Sequence, residues 1–318
     1  MAKTPRRRDS GYLDSRSVSV RAEVPKRTPK SAAPLRDLPG TVGSNRDHYV
    51  PVLANSHVEG VGGGPPVSSV LRTAWPSAFE RSYGSIETEG RESVLGQDDR
   101  VQQQNTYLYP WSAIASLVIT AHDGSVWSGS AFFITPTLLL TAGHCVFLRS
   151  AAGKESRWAE SIRIFPGRNG VSTPFGELHP RAMYSSAGWV DHGLSSFDYG
   201  AIAIAPEQVQ TQIGNFGYSP VYATNPSDRL VTVAGYPAGR GESGELYYDV
   251  RRVNGYNETI LYYNTDTSGG QSGGPVFVLG NDNSYYAIAI HTTGGTNANW
   301  GRRIDADVLT NIVAWSKQ

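Results

Sequence analysis

Three short segments carry side chains whose types suit one another chemically. They are Thr141-Ala142-Gly143-His144-Cys145, Phe197-Asp198-Tyr199-Gly200 and Gly269-Gly270-Gln271-Ser272-Gly273-Gly274-Pro275. A serine hydroxyl is a weak nucleophile until a base takes its proton, and histidine, with a pKa near neutrality, is the side chain suited to that task. A carboxylate behind the histidine fixes which ring nitrogen carries the proton and steadies the imidazolium that forms. Asp198, flanked by an aromatic residue and an apolar run, would be costly to bury unless it accepted such a hydrogen bond. The glycines around Ser272 let the backbone approach a substrate closely and turn N–H groups toward one point.

Singly, each segment has an ordinary reading, as a histidine ending a strand, a turn aspartate and a glycine-serine loop. Together, in the order histidine, aspartate, serine and tens of residues apart, they match the chymotrypsin-type order among the known hydrolytic triads. Gly270-Gln271-Ser272-Gly273-Gly274 also fits the G-x-S-x-G pattern of a nucleophile elbow, with Asp282 and His291 following in that pattern's order. An elbow needs a helix directly after the serine. Here Gly273-Gly274-Pro275 leads into the strand-like Val276-Phe277-Val278, and Asp282 sits in a turn sequence, Gly280-Asn281-Asp282-Asn283.

The elements that must hold these residues read as short strands. Residues 113–120, 129–134, 138–142, 200–205, 230–235, 275–279 and 285–291 are apolar or aromatic runs separated by Gly, Pro, Asn and Asp. Many short strands without long helices between them imply an all-β sandwich or barrel. Only the end of the chain, residues 305–317, carries helical spacing, with Val308, Leu309, Ile312, Val313 and Trp315 on its apolar side. The first 90 or so residues are rich in Ser, Pro, Arg and Gly, include the tract Gly60-Val61-Gly62-Gly63-Gly64-Pro65-Pro66, and are expected to be largely flexible.

Composition narrows the function. The 318 residues balance 28 Lys and Arg against 28 Asp and Glu, so no global charge argues for nucleic acid or an anionic membrane surface. The single cysteine, Cys145, excludes an intrachain disulfide and a multi-cysteine metal site. No apolar run reaches the ~20 residues of a membrane span, and the start, Met1-Ala2-Lys3-Thr4-Pro5-Arg6-Arg7-Arg8, shows no recognisable signal peptide.

From about Ser93 to its end the chain resembles the glutamyl endopeptidases of Gram-positive bacteria, a secreted branch of the trypsin-like serine peptidases. The resemblance rests on Leu95-Gly96-Gln97-Asp98-Asp99-Arg100, Thr141 to Cys145, Pro166-Gly167-Arg168-Asn169-Gly170, Phe197 to Ile202, Gly235-Tyr236-Pro237 and, most specifically, Asp266 to Val276. It implies two six-stranded antiparallel β-barrels with the active site between them and a C-terminal helix. The first barrel would span about 105–208, the second about 215–304 and the helix about 305–317. His144 and Asp198 would come from the first barrel and Ser272 from the second. The backbone N–H groups of Gly270 and Ser272 would form the oxyanion hole, while Thr267, His291 and an amino terminus at Ser93 would hold the carboxylate of a substrate glutamate. Cys145 has no partner where family members often carry a disulfide. The resemblance further implies protein or peptide substrates, no metal or organic cofactor, a monomer, secretion, and a mostly disordered propeptide over 1–92 released by cleavage between Glu92 and Ser93. The alternatives are a trypsin-like protease of different primary specificity and a catalytically silent binding protein of the same fold.

Overall fold

Six of the seven residues of the Ile114–Thr120 strand are buried, and all four of Leu138–Thr141 and all five of Gly200–Ile204 are too. Strands this apolar must be covered on both faces, which a sheet rolled into a barrel achieves. The computed structural model describes residues 17–21, 94–149, 156–219, 222, 225–238, 244–295 and 297–318.

In the first sheet the strands run Ser17–Arg21, Pro180–Ser186, Gly200–Ile204, Leu138–Thr141, Val126–Thr135, Ile114–Thr120 and Ser161–Pro166, every neighbour antiparallel. A bridge between Ile164 and Leu178 joins the last strand to the segment entering Pro180–Ser186, so the six strands between 114 and 204 curl into a barrel. The second sheet makes a ring of Tyr285–Gly294, Pro275–Leu279, Leu230–Gly235, Leu246–Tyr256, Ile260–Tyr263 and Asn299–Arg303, the last pairing back on the first. Val101–Gln103 adds antiparallel to Leu246–Tyr256, which ties the start of the domain to the second barrel. The expected two six-stranded barrels are therefore both present.

The barrels meet over aromatic side chains. Phe132 of the first lies edge-on to Phe216, which packs against Phe277 of the second. The C-terminal helix, Ala306–Trp315, begins where Asp305 accepts a hydrogen bond from Val308 N at 3.0 Å, a cap that satisfies an otherwise unpaired amide. It packs back on the first barrel: Trp315 stacks on Tyr184, and Asn311 Nδ2 donates to Tyr199 Oη at 2.7 Å.

Strands Ser161–Pro166, Pro180–Ser186, Leu246–Tyr256, Ile260–Tyr263 and Asn299–Arg303 lack the clean runs that marked the others. Asn299-Trp300-Gly301-Arg302-Arg303 looks like a polar loop, yet Arg302 is 1% exposed. Its guanidinium pairs with Asp305 at 2.7 Å and donates to Arg303 O at 2.7 Å, so the charge is satisfied by the strand's own neighbourhood. Within the region expected to be mostly disordered, Ser17–Arg21 forms a strand. The rest of residues 1–92, the Glu92–Ser93 boundary and Ser93 itself lie outside the described residues.

Candidate active site

A single turn, Gly143–Val146, follows the Leu138–Thr141 strand and presents His144. Gly143 is required there, because a Cβ at that position would lie 2.8 Å from Trp189 and 3.0 Å from Asp198. Asp198 ends a short turn, Ser195–Phe197, just before the Gly200–Ile204 strand. Its carboxylate grips His144 twice: Oδ1 accepts the backbone N–H at 2.9 Å, and Oδ2 lies 2.8 Å from ring Nδ1. Burial alone would push His144 down, but the Asp198 carboxylate outweighs it and holds the imidazole well above 6.5. Among the described residues, Nε2 of His144 has no hydrogen-bond partner.

Ser272 reaches the same place from the second barrel. Its carbonyl accepts from Ser130 N at 2.8 Å and lies 3.7 Å from the Cys145 sulfur, beside His144. Its hydroxyl donates to Thr292 O at 3.2 Å. The loop before it is held in a conformation that needs glycine: Gly270 has φ +96°, and a Cβ there would stand 2.6 Å from Tyr236 O. Gly273, at φ +87°, is equally constrained by Ser130 O and Thr141 Oγ1.

His291 and Thr267 are fully buried. His291 is tied to the serine loop by two backbone hydrogen bonds, Gly273 N to His291 O at 2.7 Å and His291 N to Gly274 O at 2.8 Å. Its Nδ1 lies 2.6 Å from Tyr263 Oη. Burial, with repulsion from a charged His144, pushes His291 down to about 3 against the opposing pull of a Trp300 backbone hydrogen bond, so the ring is neutral. Thr267 Oγ1 is buried without a hydrogen-bond partner among the described residues.

A trypsin-like peptidase domain model matches residues 129–283. A glutamyl endopeptidase of Bacillus licheniformis is 35% identical over 233 residues, 70% of this chain and 69% of that one. The chain belongs to the trypsin-like serine peptidases of glutamyl endopeptidase type. It is a serine endopeptidase, acting on proteins or peptides. A solved glutamyl endopeptidase in complex with MPD shares 25% identity with it at a TM-score of 0.60, covering 71% of this chain and all of that one. An extracellular metalloprotease of Bacillus subtilis is 34% identical over 235 residues, 74% of this chain and 73% of that one. Among the described residues no three His, Cys, Asp or Glu side chains gather as metal ligands.

Around the site stand residues that gave no sequence signal, Ser130 and Trp189, and others from the recognised segments whose contacts the sequence did not show. Ser130 Oγ donates to Gly270 O at 2.9 Å and accepts from Tyr236 N at 2.8 Å, so one hydroxyl of the first barrel fixes the serine loop of the second. Trp189 lies edge-on to His144, with ring centroids 6.2 Å apart. Asp266 turns both carboxylate oxygens onto the start of the domain, accepting from Leu95 N at 2.7 Å and Asp99 N at 2.8 Å. Arg100 then reaches Gln271 Oε1 at 3.0 Å, behind the Ser272 loop. Cys145 is buried and unpaired in any disulfide, and a Cβ on Gly129 would stand 3.0 Å from its sulfur.

Proposed function

We propose that the peptidase cleaves after glutamate, with aspartate a weaker substrate, and that His144, Asp198 and Ser272 carry the chemistry. The observation that carries the specificity is the pair His291 and Thr267: two fully buried hydrogen-bonding side chains, one a neutral imidazole held by Tyr263, the other a hydroxyl without a partner among the described residues, flanking the Ser272 loop. A buried unpaired hydroxyl is costly unless a ligand completes it, and donors aimed at a carboxylate give charge-assisted hydrogen bonds. The carboxylate of Asp266 would instead favour basic substrates if it faced the pocket, but both its oxygens are engaged by backbone N–H groups.

In this mechanism the Ser272 hydroxyl turns from Thr292 O toward Nε2 of His144, which takes its proton as Oγ attacks the scissile carbonyl. Asp198 holds Nδ1–H and stabilises the imidazolium. The N–H groups of Gly270 and Ser272 receive the oxyanion, where one donor is typically worth ~2.7–4 kcal/mol of transition-state stabilisation. His144 then passes the proton to the leaving amine, and water repeats the sequence on the acyl-enzyme. We further assign residues 1–92 to a propeptide cut at Glu92–Ser93, place the mature peptidase outside the cell as a monomer, and give a Ser93 amino terminus a role near the substrate carboxylate.

Cleavage of a peptide library by purified protein tests this reading. Cuts after Glu, lost in Ser272→Ala, are expected, and His291→Leu should reduce turnover of Glu peptides far more than labelling of Ser272 by a small fluorophosphonate. Losing a donor to a charged partner sets the scale at ~1–3 kcal/mol or more. Cuts after Lys, Arg or small aliphatic residues would reject the specificity, and an unlabelled Ser272 would reject the nucleophile.

A further inference from the structure

The Pro180–Ser186 strand extends past the point where the first barrel closes. Closure uses the single bridge from Ile164 to Leu178, and Gly200–Ile204 covers one edge of the strand. Without another partner, the opposite edge from Ala182 to Ser186 would present a row of unsatisfied backbone groups, which is a template for an added strand. Ser17–Arg21 occupies it antiparallel, in register from Ser17 opposite Ser186 to Arg21 opposite Ala182. Its sequence, Ser-Val-Ser-Val-Arg, alternates with the period of two that suits a strand.

That edge is the back of the catalytic site. Ser185 Oγ donates to Tyr199 O at 2.9 Å and Ser186 Oγ donates to Phe197 O at 2.7 Å, so the two serines hold the residues on either side of Asp198. Ser186 Oγ also accepts from Trp189 N at 3.2 Å, capping the turn that sets Trp189 against His144. Ser185 and Ser186 are the residues opposite Val18 and Ser17. We propose that Ser17–Arg21 is a docking strand that the upstream region lends to the first barrel, ordering the Ala182–Ser186 edge and, through it, the Asp198 loop while the domain assembles. Cleavage near residue 93 would cut the strand's covalent tie to the domain and leave a five-residue edge pairing as a separate chain, so it departs once the domain is made.

This rests on the assignment of an upstream propeptide only for the departure; the docking itself can be tested in the uncut chain. Hydrogen exchange of full-length Ser272→Ala should be compared with the same chain carrying Val18→Pro and Ser19→Pro. Successive strand residues point their N–H groups to opposite sides, so one of the two prolines removes a ladder donor whichever way the strand faces. Amides within 182–186 should exchange at least about tenfold faster in the proline variant, while those of Tyr285–Gly294 keep their protection. Refolding from denaturant should also slow. Loss of protection throughout the chain would mean that the strand is needed for the barrel to form at all, which supports the same role. Equal protection at 182–186 with and without the prolines would overturn it. Neither result depends on hydrolysis or on which bond the peptidase cuts.

Discussion

At the scale of single residues, the two buried histidines have opposite electrostatic settings. His144 is buried against a carboxylate that raises its pKa, and His291 is buried against a phenol that gives it no charge to pair with. A general base must be deprotonated, so the rate falls as pH drops through its pKa. With His144 held well above 6.5, the acid limb of kcat/KM on a Glu peptide should lie above that value. His291, pushed down to about 3, stays neutral and should add no second step between about pH 5 and 9. Replacing Asp198 with Asn removes what raises His144, so the residual activity, reduced by about 10⁴ if the triad behaves as such sites usually do, should titrate at a lower pH. An acid limb unmoved by Asp198→Asn would show that another group controls it.

At the scale of elements, the site depends on contacts between the barrels, of which the Ser130 hydroxyl is the one that can be removed singly. Ser130 lies on the Val126–Thr135 strand, yet its hydroxyl serves Gly270 and Tyr236, 140 and 106 residues away in sequence. Ser130→Ala leaves Tyr236 N without its acceptor and Gly270 O without its donor in a fully buried place, which should cost ~1–3 kcal/mol in denaturant unfolding. Because Gly270 supplies a proposed oxyanion donor, kcat should fall with little change in KM. Equal stability and equal kcat in the variant would mean that the loop holds its shape without this hydroxyl.

At the scale of the whole molecule, the C-terminal helix and the start of the domain converge on the candidate active site. The C-terminal helix holds Tyr199 beside Asp198, and Leu95 and Asp99 are bound to Asp266 next to Thr267. A domain anchored this close to its start has a natural boundary just upstream, where Glu87, Glu89 and Glu92 crowd the sequence. N-terminal analysis should therefore find Ser93 in the wild type, with the start lost in Ser272→Ala and shifted in Glu92→Gln when no other protease is present. An unchanged Ser93 start in Ser272→Ala would eliminate self-processing.

Residue types and spacing alone determined the all-β class, the histidine-aspartate-serine order and the glycines around Ser272, because each is written in a contiguous stretch: an apolar run, a turn signal or a G-G-Q-S-G-G motif. Strands such as Leu246–Tyr256 and Asn299–Arg303 escaped because their buried positions hold Asp249, Arg302 and Arg303, whose charges break the apolar run and are tolerated through ion pairs with Arg251 and Asp305 nearby in the chain and through the carbonyls of Asn257 and Glu258. Ser130, Tyr263 and Trp189 escaped for a different reason, and Asp266, though part of a recognised segment, gave no hint of the amides it holds. A serine, a tyrosine, a tryptophan and an aspartate carry no local mark of function, and only tertiary structure decides which distant N–H, ring or carbonyl each one meets.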